Sequence, residues 1–126
     1  MKLFAVAMAL ACVLISAVAQ VLLKLGMTRP AAEGLAPPAA GWLATYGQAL
    51  TSPLVWAGLT LYGLGAVLWL WVLSRLDVSL AYPMVSLGFV ITLAVGVLFL
   101  GEPFSWLRAG GCALILAGVV LLALDA

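Results

Sequence analysis

Four apolar stretches run along this chain, separated by short polar breaks and one long connection. They cover about residues 3–26, 54–74, 81–100 and 106–124, each long enough to cross a hydrocarbon layer ~30 Å thick. Each therefore predicts a membrane-spanning helix. The long connection, residues 27–53, holds Pro30, Pro37 and Pro38 with Gly34 and Gly41, which forbids one continuous helix. Within it Trp42, Leu43, Tyr46 and Leu50 are spaced for a short helix lying in the membrane interface, where Trp and Tyr are favoured. The expected architecture is an all-α membrane protein, one domain over residues 1–126, with four transmembrane helices and an interfacial helix between the first two.

Polar residues inside the apolar stretches are more informative than the apolar ones. Segment one carries Cys12, Ser16, Gln20 and Lys24, four apart. Each step of four turns a helix by about 400°, so Ser16, Gln20 and Lys24 share one broad face. Alanines surround this stripe, and small side chains let helices approach closely in lipid. Lys24 reads either as a lysine snorkelling to the interface or as a functional cation. Gln20, one turn deeper, needs a partner. Lys2, the apolar run and Ala17–Val18–Ala19 also resemble a cleavable signal peptide, but the run continues through Val21, Leu22 and Leu23.

Segment two begins near Pro53, has a thin section at Gly58, Gly63, Gly65 and Ala66, and ends in Trp69 and Trp71. Arg75 and Asp77 follow in a turn so short that segments two and three must be antiparallel neighbours. Arg75 is either an orienting loop charge or an anion contact. Segment three opens with Tyr82–Pro83, the proline expected in the first turn where its missing N–H costs little. Tyr82 and Ser86 lie one turn apart, either as a belt tyrosine and a back-bonded serine or as a polar pair for a ligand. Segment four has Gly110, Gly111, Ala113, Ala117 and Gly118, a small-residue face suited to close packing or dimerisation.

Composition narrows the functional classes. The chain is 67% hydrophobic and 7% charged with net charge +1, against about 25% charged residues in soluble domains. Without a long basic run, nucleic acid is not an expected partner. There is no His, and no acid–base pair, nucleophile arrangement, metal cluster or phosphate loop, so neither an enzyme nor a cofactor is implied. Cys12 and Cys112 sit in apolar runs as small hydrophobes. Four spans place Lys24, Arg29, Glu33, Glu102 and Arg108 on one side and Lys2, Arg75, Asp77 and Asp125 on the other. Lys and Arg divide three to two, so the positive-inside rule barely selects an orientation. Lys24 and Glu102 reach the same depth and are expected to pair. This inventory suits an amphiphile whose charged head moves along a groove while its tail stays in lipid.

The pattern AYPMVSLGFV followed by GEPFSWLRAGG, with SAVAQVLLK in segment one, resembles the small members of the drug/metabolite transporter superfamily. Within that group it resembles the two small subunits of the 4-amino-4-deoxy-L-arabinose–phosphoundecaprenol flippase; the likeness is specific over 79–108, weaker over 1–26 and absent over 27–53. It is also similar to the small multidrug resistance exporters, proton-coupled exporters of cationic compounds, whose essential segment-one glutamate is matched here by Ser16. That departure counts against cation/proton antiport. The resemblance implies a homodimer or heterodimer in the bacterial inner membrane that moves an undecaprenyl-phosphate-linked aminosugar to the periplasmic face for lipid A modification. The site expected on that basis has Lys24 and Arg75 or Arg108 on the phosphate and Glu102 on the sugar ammonium or on Lys24. Gln20, Tyr82 and Ser86 are expected on the hydroxyls, with Ser16 at a matching polar position. A non-transport role, as an assembly partner of a glycosyltransferase, would instead depend on the Gly110–Gly118 face.

Overall fold

The computed structural model describes residues 2–32 and 41–125; Glu33, Gly34, Pro37 and Pro38 of the expected loop lie outside them. The elements are α1 (Lys2–Ala32), α2 (Gly41–Ala49), α3 (Pro53–Leu73), α4 (Val78–Met84), α5 (Leu87–Leu98) and α6 (Trp106–Asp125). Four stretches are long and apolar enough to cross a membrane: Lys2–Thr28, Pro53–Leu73, Val78–Leu98 and Trp106–Asp125. Over its described residues the chain is all-α, with four spans, and it is a membrane protein. One face of the bundle carries the Lys24 end of α1, α2 and Glu102; the other carries Lys2, Arg75 and Asp77.

α1 is the floor on which the other helices rest, and its glycine contacts explain why. α3 packs antiparallel along it. A Cβ on Gly58 would meet Leu23 Cγ at 2.8 Å and Ala19 O at 3.1 Å; one on Gly65 would meet Ile15 Cγ2 at 3.1 Å. Gly26 is part of the same seam, since a Cβ there would lie 2.6 Å from Val55 Cγ2 and 2.9 Å from Val55 N. Gly26 is thus a close-approach residue, and α1 continues past it to Ala32, six residues beyond the expected end. Such contact supplies the van der Waals packing that must hold helices together in lipid.

The third span starts earlier than its apolar pattern suggested, at Val78, because Asp77 O already accepts from Leu80 N (3.0 Å) and Ala81 N (2.8 Å). Pro83 therefore falls inside α4, where the proline has no N–H to give the ladder. Bonds of the tighter i→i−3 type follow: Val85 N to Tyr82 O, Ser86 N to Pro83 O, Gly88 N to Val85 O and Phe89 N to Ser86 O. The span is broken in two at Val85–Ser86. It ends when Gly101 takes φ +69° and lets Glu102 N–H donate back to Gly96 O at 2.9 Å.

The packed core sits towards the Arg75 face: Ala5, Ala9 and Cys12 of α1 meet Val72, Leu76, Ala81 and Met84. Here α3 and α4 touch; towards the Lys24 face α3 and α5 both stay on α1 but do not pack on each other. The three spans enclose a V, narrow at the Arg75 face and wide at the Lys24 face. α2 buries Ala49 and exposes Trp42, Leu43 and Tyr46, and Trp56 Nε1–H of α3 donates to Leu50 O at 2.6 Å. α6 rests lightly on α4 and α5 and buries no residue; a Cβ on Gly110, Gly111 or Gly118 would meet nothing within 4 Å.

Candidate functional site

The V is a cavity of about 970 Å³ lined by α1, α3 and the α4–α5 span. The helix contacts fix its levels. Gly58 faces Leu23 and Ala19, Gly65 faces Ile15, and Gly88 faces Val13 with a Cβ-to-Cγ1 distance of 3.4 Å. Counting about 1.5 Å of rise per residue from these pins sorts the lining into three zones. Lys24 and Glu102 stand at the wide mouth, and Gln20, Ser16, Tyr62 and Thr92 occupy the middle. Cys12, Trp69, Leu70, Val85 and Phe89 line the narrow part, with Tyr82 at its end. The cavity is charged at one end, polar in the middle and apolar at the other.

Glu102 reaches the mouth by an unusual local route. The Gly101 turn folds it back over α5, so that a Cβ on Gly96 would lie only 2.6 Å from Glu102 Oε2. The carboxylate thus rests at the C-terminal end of a helix, where the macrodipole is negative and disfavours an anion by about 0.3–1 kcal/mol. That placement raises the demand for a cation at the mouth. Lys24 lines the same mouth, but the two make no direct ion pair within 4.0 Å. The mouth therefore presents a separated cation and anion rather than a closed salt bridge.

The remaining sequence-predicted residues divide. Ser16, Gln20 and Tyr82 line the cavity with Lys24 and Glu102, but Tyr82 stands about 20 Å along the span from Gly96, beyond reach of a head group held at the mouth. Ser86 does not line it; its hydroxyl donates to Pro83 O across the helix break. Arg75 lies on the opposite face with its guanidinium 5.4 Å from the centre of the Trp71 ring, a cation–π distance. Arg108 sits in the first turn of α6, where its backbone N–H donates to Ser105 Oγ at 3.4 Å. Neither arginine borders the cavity.

Two lining polar residues escaped the sequence reading, Tyr62 and Thr92. A signal for both was present. Tyr62, Gly65, Ala66 and Trp69 recur at i, i+3, i+4 and i+7, as do Phe89, Thr92, Leu93 and Gly96, each set forming one helix face. Thr92 Oγ1 donates to Phe89 O at 3.1 Å, leaving its lone pairs turned to acceptor duty.

No family model matches the chain, and no solved structure matches it. Curated relatives do. The chain is 43% identical over 82 residues to a protein of Pseudomonas savastanoi pv. phaseolicola named as a probable 4-amino-4-deoxy-L-arabinose-phosphoundecaprenol flippase subunit ArnE, covering 63% of this chain and 72% of the relative. A Pseudomonas aeruginosa protein of the same name is 46% identical over 83 residues, 65% of this chain and 68% of the relative. A Shewanella sediminis protein named as the corresponding subunit ArnF is 41% identical over 78 residues, 60% of this chain and 54% of the relative. With identity at this level over more than two thirds of the ArnE relatives, and four spans around a groove with charged residues at one mouth, the chain belongs to the family of small 4-amino-4-deoxy-L-arabinose-phosphoundecaprenol flippase subunits.

Proposed function

We propose that the chain is an inner-membrane transport subunit that carries a polyprenyl-phosphate-linked aminosugar of the 4-amino-4-deoxy-L-arabinose type across the bilayer for lipid A modification. The observation that carries this reading is the separated pair of opposite charges, Lys24 and Glu102, at the wide mouth of the groove. A phosphodiester-linked aminosugar presents the complementary pair, an anionic phosphate and an ammonium. Lys24 donates charge-assisted hydrogen bonds to the phosphate. Glu102 accepts from the ammonium, which supplies the cation that its seat at the end of α5 calls for. Gln20, one turn below Lys24, offers donor and acceptor to the sugar hydroxyls, and Ser16 meets the sugar deeper in the groove. Arg75 and Arg108, outside the groove, act on phosphates at the two membrane surfaces, and Tyr82 serves at the far end of the passage.

The relatives are named as subunits, and α6 buries nothing within the chain. We infer that a second small subunit, identical or paralogous, packs on the open glycine face of α6.

Native mass spectrometry of the protein released from gentle detergent tests the reading. The expected result is a retained adduct with the mass of a glycosylated polyprenyl phosphate, weakened in Lys24→Ala. Retention of added cationic drugs with no polyprenyl lipid bound would replace the flippase by a cation exporter.

A further inference from the structure

We propose that the narrow, apolar part of the groove, whose Cys12 lies roughly 18 Å along α1 from Lys24, is a binding site for the isoprenoid chain of the transported lipid, holding isoprene units a short way along the chain from the phosphate. The inference rests on the head-group reading above and extends it to the part of the ligand that no charged residue touches.

Size is the first argument. A cavity of about 970 Å³ stands at the upper end of the ~300–1,000 Å³ that takes a drug-sized ligand. One phosphorylated pentose fills only a fraction of it. The unfilled remainder is the apolar zone formed by Leu70, Val85 and Phe89 with Trp69 and Cys12. It lies on the bilayer side of the charged mouth, which is the direction a lipid chain takes from its head group. Because α3 and α5 do not pack on each other there, a chain still tethered to its head enters from the membrane without threading.

Shape is the second argument. A chain already dissolved in hydrocarbon gains nothing from the hydrophobic effect on entering an apolar groove. The site therefore selects by fit and by the entropy of ordering. Gly65 and Gly88 bring α3 and the α4–α5 span close onto Ile15 and Val13 of α1, so α1 forms the floor of the groove here and the side chains of Leu70, Val85 and Phe89 form the surface a chain must fit. The double bonds of a polyprenyl chain leave fewer free torsions than a saturated chain of equal length, so less freedom is lost on binding.

The test is a competition assay on the full-length protein in phospholipid nanodiscs, with radiolabelled farnesyl phosphate as probe. Unlabelled farnesyl phosphate is compared with the straight-chain alkyl phosphate of equal carbon number. The expected result is displacement about tenfold better by the isoprenoid. Val85→Trp, which fills the zone, and Phe89→Ala, which empties it, should each remove that preference while both phosphates remain bound. Equal displacement by the two competitors in the unmodified protein, or a preference unchanged in both variants, overturns the proposal. The two readings fail separately. Loss of the preference in the variants with no effect of Lys24→Ala sinks the head-group assignment alone; release of both phosphates by Lys24→Ala without any preference sinks the isoprenoid site alone.

Discussion

Glu102 lies directly against Gly96: Oε2 of the carboxylate stands 2.6 Å, and Cδ 3.1 Å, from the point a Cβ on Gly96 would occupy. The absence of a side chain at residue 96 is what admits the carboxylate to the mouth of the groove, and the left-handed Gly101 is what turns it there.

Gly96→Ala should therefore separate folding from function. The displaced atoms are the end of a flexible side chain, so the helix accepts the methyl and gains up to about 1 kcal/mol of helix propensity. The carboxylate must leave its seat. Thermal unfolding in detergent should stay level or rise slightly, while transport of the aminosugar lipid in proteoliposomes falls at least several-fold.

Lys24 faces the groove as its charged donor at the mouth. Lys24→Gln should cut substrate affinity by roughly 10- to 100-fold, the order of a lost charge-assisted hydrogen bond of ~1.5–3 kcal/mol. Lys24→Arg keeps the charge and should retain a larger share of binding. A titration of the lipid against the two variants in nanodiscs distinguishes them, and equal binding by both would move the phosphate contact elsewhere.

The α1–α3 seam is sensitive to one methyl. Gly26→Ala drives a Cβ to 2.9 Å from the backbone nitrogen of Val55, which cannot swing aside as a side chain can. Overpacking of this kind costs about 1–3 kcal/mol. Gly63→Ala on the same pair of helices meets nothing within 4 Å and should be neutral or stabilising. Denaturation midpoints of the two variants should move in opposite directions or differ by several degrees.

Association should depend on α6. Gly111→Leu and Gly118→Leu meet open space within the chain, so insertion and subunit stability should be unchanged. Crosslinking or co-purification with the partner subunit should be lost, because bulky residues hold apart helices that small ones allow to meet. Full co-purification in both variants would place the interface on another helix.

The spans were legible in the sequence because stretches of about twenty predominantly apolar residues with almost no charge admit little else. The short helix around Trp42 and Tyr46 was legible too, from the spacing of Trp42, Leu43, Tyr46 and Leu50. Two features were not. Hydropathy puts Pro83 at a helix start because the apolar run begins near it, whereas the backbone turn at Asp77 starts the helix at Val78, five residues before Pro83; the resulting break at Val85–Ser86 follows from hydrogen bonds that hydropathy does not encode. Gly26 looked like a helix end, since a glycine after an apolar run serves equally as cap or as contact, and only the arrival of Val55 decides. For the site, Lys24 and Glu102 were legible as partners in depth. That Tyr82 belongs to the far end, and that Arg75 and Arg108 lie outside the groove, depends on how α3 and α5 diverge from α1.

The polarity gradient of the groove has a consequence for the direction of flow. A head group leaving Lys24 and Glu102 for the aromatic end surrenders its strongest contacts and finds none of equal strength, so loading is favoured at one membrane face and occupancy at the other stays low. A binding site that is tight at one end does not by itself move the overall equilibrium of the lipid between leaflets. Unless a separate energy source is coupled to the subunit, net delivery follows the lipid's own concentration difference between the leaflets, which a reaction that removes the sugar on the receiving side would keep up. Block that removal, and the groove should fill and transport should stall with the subunit intact.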